Sequence, residues 1–259
     1  MSKKKIAIIT GANSGLGKEF LKLLYREKEI TEVWAIARNK ERLDQLVNEY
    51  GSKIKVFSKD LSKLEEVKSL DYLLKKEDVC IKYLINNAGF AKFCSYHDLS
   101  IEVSINMIDL NISAVVAMGL ICIPYMKKGS HIINISSQAS FQPLPYQNIY
   151  SSTKAFVRNY TRALHVELKD KGINAIAVCP GWMITGLIDR GVIGAEKGTN
   201  NFSGMVSPNL VAKKALKDSK KNKDISVYGI YTKSSHLLAK LLPQKLMMQV
   251  WLRQQHINN

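Results

Sequence analysis

Short runs of Ile, Val and Ala alternate along this chain with longer stretches whose apolar residues recur every three or four positions. The runs predict strands over 5–10, 32–37, 53–58, 81–86, 130–136 and 174–179, with a further one over 225–230. Helical spacing predicts helices near 15–28, 40–50, 62–75, 101–126, 149–171 and 208–219. Strands separated by helices of this length pair in parallel through right-handed crossovers. The first, fourth and sixth runs are unbroken apolar, as strands covered on both faces are. The expected fold is therefore α/β: a doubly wound, Rossmann-type parallel sheet of about seven strands with helices on both faces.

The stretch 101–126 is apolar on nearly every side. Its 17 residues from Leu110 to Met126 carry no charge, and Asn111 and Pro124 interrupt them. It reads as a fully buried helix rather than a membrane span. One side meets the sheet, and the other needs a neighbour. With Phe156, Val157 and Tyr160 on the helix after Tyr150, this points to a homodimer or homotetramer. Two regions fall outside the βα alternation. Residues 182–206 mix glycines with Trp182, Met183, Phe202 and Met205, and read as an apolar-lined lid. Residues 234–255 read as a helical extension that Pro243 divides. With no internal repeat or low-complexity linker, residues 1–259 are expected to form one domain.

Against 22 acidic residues stand 38 basic ones, a net charge of +16, clustered at Lys3-Lys4-Lys5 and over 213–223. This reads as a solubilising surface biased toward anionic ligands. No zinc-finger, homeodomain or stacking-aromatic pattern points to nucleic acid. The four cysteines and five histidines lack metal-ligand spacing, so no metal site is expected. Met1 to Ile9 superficially resembles a signal peptide, but its apolar run is too short and leads into a glycine-rich turn, so with the free thiols it points to the cytoplasm.

The first chemical signal is Thr10-Gly11-Ala12-Asn13-Ser14-Gly15-Leu16-Gly17, between a strand and a helix. Gly11 permits a tight turn, Gly15 lets backbone approach a pyrophosphate, and Gly17 lets the helix pack closely. The helix N-terminus adds oriented N–H groups. About twenty residues on, where an acid would hold the ribose of NAD, stand Ala37-Arg38-Asn39. A guanidinium there binds a 2′-phosphate, so NADP(H) is preferred and NAD(H) possible. A solvated arginine at a strand end is the plainer alternative.

The second signal is Tyr150-Ser151-Ser152-Thr153-Lys154, which sets a phenol and an ammonium one helical turn apart. A free phenol titrates near 10, so Lys154 is expected to lower that value. A drop of about 3 units requires about 4 kcal/mol of differential stabilisation. Ser137 closes the fifth predicted strand, placed either to hydrogen-bond a substrate oxygen or simply to cap the strand end.

Together with Asn86-Asn87-Ala88-Gly89 and Pro180-Gly181, these motifs make residues 5–185 strongly resemble the short-chain dehydrogenase/reductase family, and within it hydroxysteroid dehydrogenase-like or carbonyl reductase-like members. The resemblance implies that Asp60 and Leu61 meet the adenine, although Asp60 also suits a helix cap. It implies that Asn87, Ala88 and Gly89 brace the sheet and admit the cofactor ribose. It implies that Asn111 holds a proton-relay water toward Lys154, and that Pro180, Gly181, Ile184 and Thr185 meet the nicotinamide carboxamide. Ser14 departs from the pattern, since many NADP-preferring members carry a basic residue there. The implied activity is hydride transfer between NADP(H) and a ketone or secondary alcohol. Tyr150 handles the proton, Ser137 orients the oxygen, and Lys154 and Asn111 complete the relay.

Trp182, Met183, Phe202, Met247, Met248 and Trp251 point to a bulky, lipophilic small-molecule substrate, hydroxysteroid or bile-acid-like. A 3-oxoacyl thioester is the alternative, and a dinucleotide-binding regulator without turnover is disfavoured because the tyrosine, lysine and serine are all present. The apolar faces of the C-terminal segment are expected to pack on the domain rather than insert stably in a membrane.

Overall fold

The computed structural model describes residues 3–194 and 198–257; residues 1–2, 195–197 and 258–259, and with them part of the expected lid, lie outside that description. Seven strands run β1 (Lys4–Thr10), β2 (Glu32–Ala37), β3 (Ile54–Ser58), β4 (Val79–Asn86), β5 (Met126–Ile135), β6 (Asn174–Val178) and β7 (Ile225–Ser226). All pair in parallel, in the order β3-β2-β1-β4-β5-β6-β7. The helices are α1 (Gly15–Tyr25), α2 (Lys40–Tyr50), α3 (Leu64–Lys76), α4 (Ile101–Ile108), α5 (Ala114–Cys122), α6 (Asn148–Glu167), α7 (Leu187–Val192), α8 (Pro208–Lys220), α9 (Ile230–Leu241) and α10 (Gln244–Gln254).

Alternation along each strand divides the core. Ala7, Ile9, Val33 and Ile85 face α1, α2 and α8, whereas Ile6, Ile8, Trp34 and Leu84 face α3, α5 and α6. Both sheet faces are thus covered, as the apolar strand runs predict. The chain leaves β1 toward β3 and returns to β4 on its other side. The carboxyl ends of β1 and β4 therefore open into a crevice at the point where strand order reverses.

Several boundaries depart from the sequence reading. The helix expected over 101–126 breaks at a π-type segment, Asp109–Ser113, and ends in a tight turn over Ile123–Tyr125. Met126 already pairs with Ile81, so β5 begins four residues earlier than its apolar run. That stretch is also not fully buried. Ile101 (77% exposed) and Leu120 (67%) face outward, because the sheet, α3 and α6 leave one side of the stretch uncovered. The seventh strand stops at Ser226, where Gly229 at φ +90° turns the chain so that Ile230 opens α9 instead. The helix over 149–171 ends at Glu167.

Candidate active site

The turn after β1 is tied to the turn after β4. Gly11, at φ +64°, donates its N–H to the Ile36 carbonyl at 2.8 Å. The Asn87 amide donates to the carbonyls of Thr10 and Gly11, each at 3.1 Å. The Thr10 hydroxyl accepts the N–H groups of Asn87 and Ala88, both at 2.9 Å. Gly17 lies directly over this turn: a Cβ there would stand 2.1 Å from the Gly11 carbonyl oxygen. Ser14 holds the N-cap position of α1 without capping it through its side chain, and the first turn carries no acid. The leading N–H groups are thereby left to an anion, and Ser14, Gly15 and Leu16 line the cleft beside them. This cradle fits the pyrophosphate of a dinucleotide.

Farther out, Arg38 is exposed beyond β2, and its carbonyl accepts the Ser58 hydroxyl at 2.9 Å. Asp60 spends one oxygen on the backbone N–H of Ser62 (3.2 Å) and on its hydroxyl (2.8 Å), a turn-capping role. Leu61 packs into the core beneath α3. Asn13 is half-buried in the turn, and Ile184 is 70% exposed. Arg38, Asp60, Leu61, Asn13, Gly17 and Ile184 therefore flank the cleft, whereas Gly11, Asn87, Ala88, Gly89, Pro180, Gly181 and Thr185 line it.

At the other end Tyr150 and Lys154 are both buried, 7% and 5% exposed. The Lys154 Nζ donates to the Ile135 carbonyl at 2.9 Å and stands 5.8 Å from the centre of the Tyr150 ring. The Ser136 hydroxyl donates to the Lys154 carbonyl at 2.7 Å and pins α6 to the end of β5. Ser137 caps the following turn, accepting from the Ala139 N–H at 3.1 Å, and also neighbours the phenol. Burial pushes Tyr150 above its ordinary pKa, with the Ser137 hydroxyl pulling the other way. Burial brings Lys154 down to about 8. The expected lowering of Tyr150 by Lys154 is thus not present in the chain alone. The ammonium is directed at a carbonyl and is itself costly to charge in this setting.

Asn111, fully buried in the π-type segment, uses both ends of its amide. It accepts the Phe90 N–H (3.1 Å) and donates to the Phe90 carbonyl (3.0 Å) and the Thr153 hydroxyl (3.1 Å). Gly89 lies between it and the lysine; a Cβ there would stand 2.8 Å from Asn111 Oδ1 and 3.5 Å from Lys154 Nζ. Asn111 therefore fixes the residue before Lys154.

The cleft, about 380 Å³, continues from Tyr150 between Trp182, Leu238, Leu242, Met247, Val250 and Trp251. Trp251 donates its indole N–H to the Pro145 carbonyl at 3.0 Å. Phe202 and Met248 do not line the cleft: Phe202 backs Trp182, edge to face at 4.9 Å. The polar lining escaped the sequence reading. The side-chain oxygens of Gln138, Gln142 and Gln147 are buried there without a partner among the described residues. These glutamines carry no spacing signal; Thr10 and Thr153 stand inside the quoted motifs, but nothing in the sequence marks their hydrogen bonds.

Removing the Asn111 amide leaves the N–H and the carbonyl of Phe90 without their partner, while the Thr153 hydroxyl keeps its bond to the Tyr150 carbonyl. Asn111→Leu is expected to destabilise the chain by about 1–3 kcal/mol for each group left unpaired. Chemical denaturation checks this; an unchanged midpoint would show that the amide network holds nothing in place.

The geometry agrees with comparisons to known proteins. The family model described as short chain dehydrogenase matches residues 5–190. An uncharacterized oxidoreductase of Staphylococcus aureus strain MRSA252 is 32% identical over 186 residues, covering 71% of this chain and 80% of that protein. The very-long-chain 3-oxoacyl-CoA reductase of Anas platyrhynchos is 36% identical over 191 residues, covering 69% of this chain and 60% of that one. A short-chain dehydrogenase from Sphingobium yanoikuyae, solved in complex with NADPH, superposes with a TM-score of 0.76 at 25% identity over 94% of both chains. The chain belongs to the short chain dehydrogenase family, oxidoreductases that bind a nicotinamide dinucleotide.

Proposed function

We propose that this chain, acting as a single domain, is an NADP(H)-dependent oxidoreductase. It interconverts a ketone and a secondary alcohol on a bulky lipophilic substrate, with hydroxysteroid-type or bile-acid-like ligands foremost. The observation that carries the reading is the meeting of Tyr150, Ser137 and Lys154 at the floor of an apolar-walled cleft, opposite the glycine cradle. The bound nicotinamide supplies or accepts the hydride. Tyr150 gives its phenolic proton to the carbonyl oxygen during reduction and takes it back during oxidation. Ser137 donates to the same oxygen and fixes its position. Lys154 offers its ammonium to the cofactor ribose, and Asn111 holds Thr153 and thereby the lysine's turn of α6. Burial keeps the phenol protonated, the state that reduction needs, while making it a weaker acid than a free phenol.

The unpartnered oxygens of Gln138, Gln142 and Gln147 support a hydroxylated ligand. A hydroxysteroid brings hydroxyl donors to them, whereas an acyl chain brings none. The 36% identity to a relative named as a 3-oxoacyl-CoA reductase favours a second reading, reduction of a 3-oxoacyl thioester. Turnover with a panel of steroid ketones beside acetoacetyl thioesters separates the two.

Tyr150→Phe is expected to leave NADPH binding intact and to lower kcat at least about 10²-fold, the scale of general acid catalysis. Steady-state kinetics with fluorescence titration of NADPH tests this, and near-normal turnover contradicts the role. With the Arg38 guanidinium assigned to the 2′-phosphate, Arg38→Ala is expected to raise KM for NADPH about tenfold or more while sparing NADH. An equal change for both cofactors refutes the NADP(H) preference. The outward apolar face of α4, α5 and α6 (Ile101, Ile105, Leu120, Phe156) supports a homodimer or homotetramer. A species of only 29.1 kDa in size-exclusion chromatography would contradict that assembly.

A further inference from the structure

The C-terminal helices pack on the domain only in part: Met247 and Trp251 of α10 are buried, as the sequence predicts, whereas much of α9 is not covered. Ile230, Leu237 and Leu241 of α9 are 87%, 57% and 70% exposed. At 100° per residue these positions fall within a 40° stripe along the helix. On one flank of the stripe stand Lys233 and Lys240, both exposed; on the other stands Leu238, which lines the cleft. Beyond Pro243, Leu246 and Val250 of α10 are exposed as well, and Val250 also lines the cleft. From residue 225 to residue 259 the sequence has no Asp or Glu, while Lys233, Lys240, Lys245 and Arg253 give it four positive charges.

We propose that α9 and α10 form a peripheral docking surface for an anionic lipid bilayer, with the mouth of the cleft held at the lipid interface. The stripe of large aliphatic side chains enters the boundary between headgroups and acyl chains, and the flanking lysines meet the lipid charge. The charge pattern selects this occupant over a second copy of the chain, since a segment with four positive charges and no acid, two of them beside the stripe, repels its own image. The contact is interfacial and spans nothing: α9 has 12 residues and α10 has 11. It places the cleft rim, through Leu238, Leu242 and Val250, where a lipophilic molecule can pass without crossing water. Docking does not depend on the reaction assigned above, because neither the stripe nor its lysines touch Tyr150, Ser137 or Lys154.

Flotation of the full chain with vesicles tests the proposal. The probes are phosphatidylcholine alone and phosphatidylcholine with about a third phosphatidylserine, at low and high salt. The chain is expected to float with the anionic vesicles and to bind more weakly as salt rises. Leu237→Ser with Leu241→Ser should reduce the bound fraction about tenfold or more, the loss expected when two aliphatic side chains leave the interface. Thermal unfolding should be unchanged, since both positions face solvent. Lys233→Glu with Lys240→Glu should abolish the preference for phosphatidylserine. A wild-type chain that stays with neither vesicle overturns the proposal, as does a serine variant that binds like wild type. Light scattering on the same samples covers the rival occupant: serine substitutions that split an oligomer, with no vesicle binding by the parent, assign this face to a second copy.

Discussion

A lysine ammonium held inside protein, with a single carbonyl for a partner, is the constraint on which this architecture turns. Lys154 is drawn to the Ile135 carbonyl at the end of β5, and burial makes its charge costly enough to bring it to about 8. Such a group is tolerated only where its surroundings are fixed. Two polar staples fix them. Asn86 donates to Asn134, which donates to Thr161, tying β4, β5 and α6 through buried amides at 2.8 and 2.9 Å. Asn111 ties the loop after β4 to Thr153 in the same helix. Between the staples, the helical turn carrying Tyr150 and Lys154 has one position relative to the sheet.

The same constraint links the two ends of the cleft. β4 supplies Asn86 to the staple and then Asn87 to the turn after β1, so the glycine cradle and the Tyr150 pocket are set by consecutive residues of one strand end. The crevice of an open parallel sheet lies where strand order reverses, and here that is between β1 and β4. A dinucleotide laid from the N-terminus of α1 toward Lys154 follows that line.

Much of this was legible in the sequence, for physical reasons. Apolar runs buried on both faces announced the strands of the parallel sheet, and the glycines after β1 announced a turn that admits no side chain. The spacing of Tyr150 and Lys154 on one helix face needed only the helical period. What the sequence did not disclose depends on neighbours distant along the chain. Asn86 and Asn134 are register partners, so their pairing exists only once β4 lies beside β5. The π-type segment around Asn111 arises inside a run that reads as unbroken helix. The brevity of β7 follows from one glycine at φ +90°. The shift of Tyr150 ran opposite to expectation because desolvation, which sequence spacing does not report, outweighed the Ser137 hydrogen bond. The outward stripe of α9 escaped the sequence for a related reason. Amphipathic spacing shows that a face is apolar, but not what covers it.

The central claim is that the buried ammonium of Lys154 holds the dinucleotide, and its proton gives the most direct test. Below about pH 8 the unliganded chain already carries that proton, and binding requires no uptake. Above it, binding must draw a proton in, and affinity falls by up to about tenfold per pH unit. Dinucleotide affinity measured by calorimetry from neutral pH to about 10 should therefore be level and then decline in the wild type. In Lys154→Met it should be weaker and show no such decline. A wild-type affinity that stays level through this range, or a methionine variant that follows the same curve, would contradict the account.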